Sequence, residues 1–370
     1  MSDRNESDRL QQESTFQRLI RRPEAGSFAV MVVVLVLIAF ASNGNAMNAL
    51  GIKNNLSIIS QFGIIATGAA LLMIAGEFDL SIGSMIGFAG MSMAMMLKWG
   101  LPFGLGEATP FSAFFITLAM TLSLGWLIGT IVVRSGLSSF IVSLGFLFGL
   151  RGVTEVTFRL INQSTQISGL QDFKETSFFA RLFGGESFGW FYDLAFALGF
   201  NLNRRGEQWV TGLDARVVWW MLVVLIAYII LSRTQIGNWI YATGDNKESA
   251  RANGVPVNRV KVGLFMTTAL CATIFAACQV FDTNTADAAK GNLKELEAIA
   301  IAVVGGILMT GGFGSVIGVA FGAVTFGLVA NAVFYIPWID GSFYRVFVGA
   351  VLLAAVFANE RIRKRITGGI

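Results

Sequence analysis

Apolar residues in this chain fall in long blocks separated by short polar or glycine-bearing breaks, with no sustained two-residue alternation. Ten such blocks stand out, at 27–41, 56–75, 81–97, 111–133, 137–157, 214–232, 260–281, 295–311, 314–334 and 343–359. Most approach the roughly 20 residues a helix needs to cross a hydrocarbon core of about 30 Å. The pattern predicts an all-α, polytopic membrane helical bundle of about ten transmembrane helices. Ala39-Phe40-Ala41 imitates a signal-peptidase site, but the preceding polar stretch is long and acid-rich, so the first block reads as an uncleaved helix.

An even number of spans puts both termini on one side, and the Lys/Arg distribution predicts which. Arg18, Arg21 and Arg22 precede the first span; Arg134, Arg233, Lys247, Arg251, Arg259 and Lys261 flank later breaks of the same parity; Arg361, Arg363, Lys364 and Arg365 follow the last span. Lys53, Lys98, Lys290 and Arg345 are spread thinly over the other side. Both termini are therefore expected in the cytoplasm. The organisation that follows is a cytoplasmic tail at 1–26, one membrane domain at 27–365 and a C-terminal tail at 366–370. Within the domain, 158–213 forms a long external segment and 233–260 a cytoplasmic loop. The aromatic stretch Phe188–Phe200 reads either as a helix packed on the bundle or as a docking surface for an external partner.

Composition narrows the chemistry. Hydrophobic residues make up 54% and charged residues 14% of 370, where a soluble domain carries about a quarter charged. The net charge of +4 follows from the loop asymmetry, so no nucleic-acid partner is implied. With no histidine, a Ser-His-Asp triad or a His-based proton shuttle is excluded. Cys271 and Cys278 are seven positions apart on one span, about 10 Å of helical rise, too far for a mutual disulfide. No G-x-x-x-x-G-K-[ST] phosphate cradle occurs, so any ATP hydrolysis must come from another subunit. The chain reads as a non-enzyme with no metal site and no cofactor of its own.

Four groups of residues are candidates for function. Glu77 and Asp79 interrupt an apolar stretch just before Ser81. They are either solvated in a short loop, with Asp79 or Ser81 capping the next helix, or part of a broken helix along a water-filled path; the capping reading is preferred. Glu77, Asp79, Ser81 and Asn331 are the possible translocation-pathway residues. In the cytoplasmic loop, Asp245 or Asn246 can cap a short helix through Asn253, and Asp245 with Glu248 imitates a capping box. Gly254 then supplies a left-handed stop and Pro256 prevents continuation. Small residues four apart, at Gly83/Gly87, Gly125/Gly129, Gly145/Gly149 and Gly314/Gly318/Gly322, clear helix faces for close packing. Asp282, Asp287, Lys290, Lys294, Glu295 and Glu297 gather around an outer loop and a helix start.

Taken in order, Gly76–Ser84 (GEFDLSIGS), Ser138–Gly152 (SSFIVSLGFLFGLRG), Tyr241–Gly254 (YATGDNKESARANG) and Leu296–Gly314 (LEAIAIAVVGGILMTGGFG) resemble the membrane permeases of ribose-type ABC importers, over about residues 27 to 365. The resemblance implies a second copy of the chain, a cytoplasmic ABC ATPase that binds ATP and Mg, a periplasmic sugar-binding protein, a sugar substrate, and a bacterial inner membrane whose lipid surrounds the bundle. It also implies that Gly244–Gly254 holds a coupling helix seated in the ATPase, with Asp245, Asn246, Glu248, Arg251 and Gly254 carried over. Glu77, where the family often has a neutral residue, and the length of 158–213 depart from the pattern. The competing expectation is an ion-coupled secondary transporter using Glu77 and Asp79.

Overall fold

The computed structural model describes residues 24–203, 205–336 and 340–353. The arginines counted above at 18, 21 and 22, and those beyond 353, lie outside the described residues, as does the C-terminal tail at 366–370. Six helices are long and apolar enough to cross a membrane: α1 (Glu24–Ala41), α2 (Ala49–Ile74), α4 (Pro110–Ser135), α5 (Ser139–Asn162), α9 (Ala215–Arg233) and α12 (Val257–Thr283). Between them lie α3 (Ile82–Trp99), three short helices α6 (Gln171–Thr176), α7 (Phe178–Gly184) and α8 (Gly189–Ala197), then α10 (Gln235–Asp245) and α11 (Lys247–Ala252). The chain continues with α13 (Lys294–Val304), α14 (Val316–Ala332) and α15 (Ser342–Leu353). Residues 24–26 belong to α1 and not to a polar tail.

Helix ends follow local chemistry. Asn48 caps α2 by accepting from the Gly51 N–H at 2.7 Å. Thr109 and Ser112 form a reciprocal capping box with Pro110 at the first turn of α4, which stops at left-handed Gly136. The core is built on α2, α3 and α12. The apolar windows of α2 and α12 are 83% and 78% buried, against 11% for α1.

Small residues fix the close approaches. Gly125 and Gly129 of α4 lie against the backbone of α12, where a Cβ on Gly125 would sit 2.7 Å from the Phe265 carbonyl oxygen. Gly318 and Gly322 of α14 meet the Gly305 and Ile301 carbonyls at the end of α13, and Gly314 meets Ile307. This glycine face is thus occupied inside the subunit.

Two helices begin inside the bundle. After α2 ends at Ile74, residues 75–81 climb back alongside α12. Glu77 pairs with Lys261 in the first turns of α12, and Asp79 reaches Thr268. Thr268 lies 268 − 257 = 11 residues into α12, about 16 Å of rise. Only there does α3 start. On the other side, residues 285–287 pair with 166–168 in a short antiparallel ribbon. The chain then descends along α3, with Ala288 against Gly87 and Gly291 against Gly83. Lys294 starts α13 at that depth.

The expected span 295–311 is therefore helical only to Val304. Eleven residues rise about 16 Å, half a hydrocarbon core. Five glycines, at 305, 306, 311, 312 and 314, follow, four of them with positive φ, so the helix cannot continue.

Residues 166–214 and 234–256 lie at opposite ends of the bundle. The first segment joins the end of α12 and the start of α9, and the second joins the end of α9 and the start of α12. Phe188–Phe200 is not packed on the bundle: α8 has no buried residue, and Trp190 and Phe200 are 70% and 82% exposed. Phe179 and Phe183 of α7 anchor the segment instead, in an aromatic cluster with Phe114 and Trp219.

Candidate functional site

The site is assembled where α2 ends. Three backbone segments meet there: Gly76 after α2, Gly244 in the last turn of α10, and Gly311–Gly312 after α13. The Gly312 N–H donates to the Ile74 carbonyl oxygen at 2.8 Å. A Cβ on Gly244 would overlap that same oxygen, and one on Gly311 would stand 2.7 Å from the Gly76 Cα. Gly311 and Gly312 also hold φ of 84° and 75°, which glycine adopts at no steric cost. Tyr241 of α10 donates its hydroxyl to the Gly314 carbonyl at 2.7 Å. The fourth segment arrives from α5, where Ser139 Oγ accepts from the Phe78 N–H at 3.1 Å. Each of the four sequence motifs contributes to this one junction.

Polar side chains line a cleft of about 380 Å³ at the junction, among them Glu77, Thr243, Asp245, Lys247, Glu248 and Lys261. Glu77 and Lys261 form an ion pair with side chains 13% and 12% exposed. Asp79 lies deeper and is buried. One oxygen accepts from the Ser81 N–H and hydroxyl at 2.8 and 2.5 Å, and the other accepts from the Thr268 hydroxyl at 2.5 Å. The preference for two solvated acids is thereby corrected: one is paired, the other enclosed by hydroxyl donors. Ser81 occupies the cap position of α3 but makes no side-chain capping bond; its hydroxyl donates to Asp79. Asn331 is not part of this group. It donates to Asn55 at 2.7 Å near the start of α2, and Asn55 in turn holds the Ala46 carbonyl.

From the junction projects α11. Asn246, and not Asp245, caps it, accepting from the N–H groups of Glu248 and Ser249 at 3.0 Å each; Asp245 closes α10. Gly254 has φ of 81°, and the Gly254 and Val255 N–H groups return to the Arg251 and Ala250 carbonyls, a left-handed termination. Arg251 donates to Asn258 at 2.9 Å, tying the helix to α12. Ala250 is buried, while Asp245, Asn246, Glu248, Arg251 and Gly254 are exposed. Sequence reasoning missed α10, Lys261 and Thr268. The amphipathic spacing of Ile236, Ile240 and Thr243 was the available signal for α10; Lys261 is 184 positions from Glu77 and gave none.

The arrangement is a rigid bracket: an exposed polar helix braced through α10, α12 and three glycine contacts onto the ends of core helices. It presents no paired nucleophile and base. A family described as branched-chain amino acid transport system / permease component matches residues 51–356. The chain belongs to this family.

It is a non-catalytic membrane permease component. Among its relatives, the ribose import permease protein RbsC of Escherichia coli is 29% identical over 336 residues, covering 90% of this chain and 93% of that one. The xylose transport system permease protein XylH of Escherichia coli is 28% identical over 375 residues, 91% of each. The inner membrane ABC transporter permease protein YjfF of the same organism is 28% identical over 310 residues, 84% of this chain and 83% of its own. No solved structure matches the chain.

Proposed function

We propose that this chain is the translocating subunit of a binding-protein-dependent importer for a sugar or similar polyol, working as a pair of identical copies in a bacterial inner membrane. A separate cytoplasmic ATPase binds ATP with Mg and drives it through α11, and a periplasmic binding protein delivers the sugar to the end formed by 158–213. One observation carries the reading: α11 is capped at both ends and exposed along its polar side, yet its root is fixed to α2, α12 and the 311–314 loop. A partner that displaced α11 would move those elements together, because glycine contacts leave no slack for side chains to absorb. The names of the ribose and xylose permeases support the substrate class.

The Lys/Arg asymmetry supports a cytoplasmic position for 233–260. Cysteine labelling of intact cells tests it: a substituted Ser187 should react from outside and a substituted Ser249 should not, and the reverse would overturn the orientation.

The buried Asp79 at a helix break favours a second reading, ion-coupled transport. Uptake into vesicles separates the two. The importer reading expects a need for ATP, ATPase and binding protein, and insensitivity to a protonophore or a sodium ionophore.

A further inference from the structure

We propose that the apolar groove between α10 and α12 holds an acyl chain of one anionic phospholipid, whose phosphate is bound by Arg259. The site goes beyond the importer reading and does not depend on which solute is carried.

The groove is a cavity of about 390 Å³ where α9 ends and α12 begins. Ile236 and Trp239 of α10 line it, with Val260 and Leu264 of α12 and the buried Leu71 of α2. It is open to the surroundings of the bundle, because Ile236 and Gly263 line it and are exposed. From Arg259 to Thr267 it follows about two turns of α12, roughly 12 Å of rise. That is most of one leaflet's share of a hydrocarbon core of about 30 Å.

Polar groups that can meet a ligand gather at one end. Arg259 is exposed in the first turn of α12 and makes no hydrogen bond or ion pair among the described residues. The Trp239 indole N–H is likewise without a partner among them. Arg233, exposed in the last turn of α9, adds a second unpaired cation at the same end of the bundle. At the deeper end, the Thr267 hydroxyl already donates to the Gly263 carbonyl at 2.9 Å. No described Asp or Glu lines the groove; Glu77, Asp245 and Glu248 belong to the separate cleft that holds Lys261.

A pocket of this size and lining takes a mostly apolar ligand anchored by a few polar contacts. A sugar would leave its hydroxyls unpaired against Ile, Val and Leu side chains, at a cost. The ligand that a membrane supplies in this shape is a phospholipid, and an unpaired arginine at the watery end selects an anionic headgroup. A chain seated there fills the space between α10 and α12 and so braces the helix that carries α11.

The full-length chain, stripped of lipid in detergent, is to be titrated with dioleoyl phosphatidylglycerol and with dioleoyl phosphatidylcholine under native mass spectrometry. One phosphatidylglycerol per chain should be retained at concentrations where phosphatidylcholine is not. Arg259→Gln should weaken that binding about tenfold, as expected for loss of a charge-assisted hydrogen bond. Arg159→Gln, at an exposed arginine in the last turn of α5, should leave it unchanged. Gly263→Phe, where an added Cβ meets nothing within 4 Å, should fold normally, fill the groove and abolish binding with Arg259 intact. Phosphatidylglycerol should also slow hydrogen exchange over 235–245 in wild type and not in Gly263→Phe, and glycerol phosphate, a head without chains, should not compete. Equal retention of the two lipids, or phosphatidylglycerol binding that survives either groove substitution, would overturn the site. So would competition by glycerol phosphate, or loss of the lipid on adding the ATPase, which would make the groove a protein contact.

Discussion

The two ends of the bundle are built from different materials. At the end carrying α10 and α11, backbone meets backbone: Gly76, Gly244, Gly311 and Gly312 close on one another and on the Ile74 carbonyl. At the opposite end, segment 166–214 combines backbone pairing at 166–168 and 186–187 and the close approach of Gly184 to the Phe281 carbonyl with a larger share of side-chain anchors. Phe183 stacks on Trp219 at 4.6 Å between ring centres, the Trp219 indole N–H donates to the Leu182 carbonyl, and Lys53 reaches Glu186 at 2.5 Å. Side chains change rotamer and can re-form around a partner; glycine-to-backbone contacts cannot deform without moving the helices that carry them. The first end suits transmission of a displacement. The second suits reversible docking, with α8 presenting exposed aromatic residues.

The largest effect that tests this contrast is truncation of the aromatic anchor. Phe183→Ala empties a fully buried site and should cost about 3–5 kcal/mol in reversible denaturant unfolding, yet leave transport per folded molecule near wild type. Gly244→Ala should cost less, about 1–3 kcal/mol as an overpacking change, while abolishing transport in the molecules that do fold. Equal loss of transport in both variants would erase the distinction between the ends.

Next in size is the Glu77–Lys261 pair. Glu77→Gln strands a mostly buried ammonium and should destabilise by about 3 kcal/mol. The double variant Glu77→Gln with Lys261→Met should recover most of that stability, measured as a double-mutant cycle. If the pair instead behaves additively, it does not join the loop before α3 to α12.

The smallest effect belongs to the docking end. Burial pushes the Glu186 carboxyl up, but hydrogen bonds from Lys53 and Thr211 and the nearby Lys53 and Lys174 charges outweigh it and hold its pKa below the usual glutamate value. A depressed folded-state pKa contributes stability above the unfolded value, near 4.5, and that contribution is lost as pH falls through the lower folded value. The pair is partly exposed, so it is worth below about 1 kcal/mol. Hydrogen-exchange protection around residues 186–187 and 213–214, corrected for the intrinsic exchange rate, should fall in wild type as pH drops through the lowered Glu186 value, and this step should vanish in Lys53→Met.

Much of this architecture was legible because membrane spans are written in hydropathy. The ten apolar blocks correspond to α1–α5, α9 and α12–α15, although α2 starts seven residues before its block, where Lys53, Asn54 and Asn55 lower the hydropathy. The caps and stops of α11 were legible because they depend on Asn246 and Gly254 alone. What failed to show was depth. Glu77 and Asp79 read as a loop because hydropathy marks a break without telling which way the chain turns. Here it turns inward, where Lys261 and Thr268 meet the two acids. The half-length of α13 was hidden in the same way: its glycines are apolar enough to extend a hydropathy block but too flexible to extend a helix. Long-range partners such as Asn55 and Asn331, 276 positions apart, leave no local trace.

Whether α11 transmits motion is tested most directly at Gly254. Its φ of 81° with open space around it means that Gly254→Val strains only the left-handed stop of the helix, at a local cost of order 1–2 kcal/mol. The permease–ATPase assembly, reconstituted in vesicles with its binding protein, is to be assayed for sugar uptake and ATP hydrolysis together. The predicted result is a variant that inserts and assembles like wild type but has lost both uptake and substrate-stimulated hydrolysis. Uptake at the wild-type rate in that variant would contradict the account.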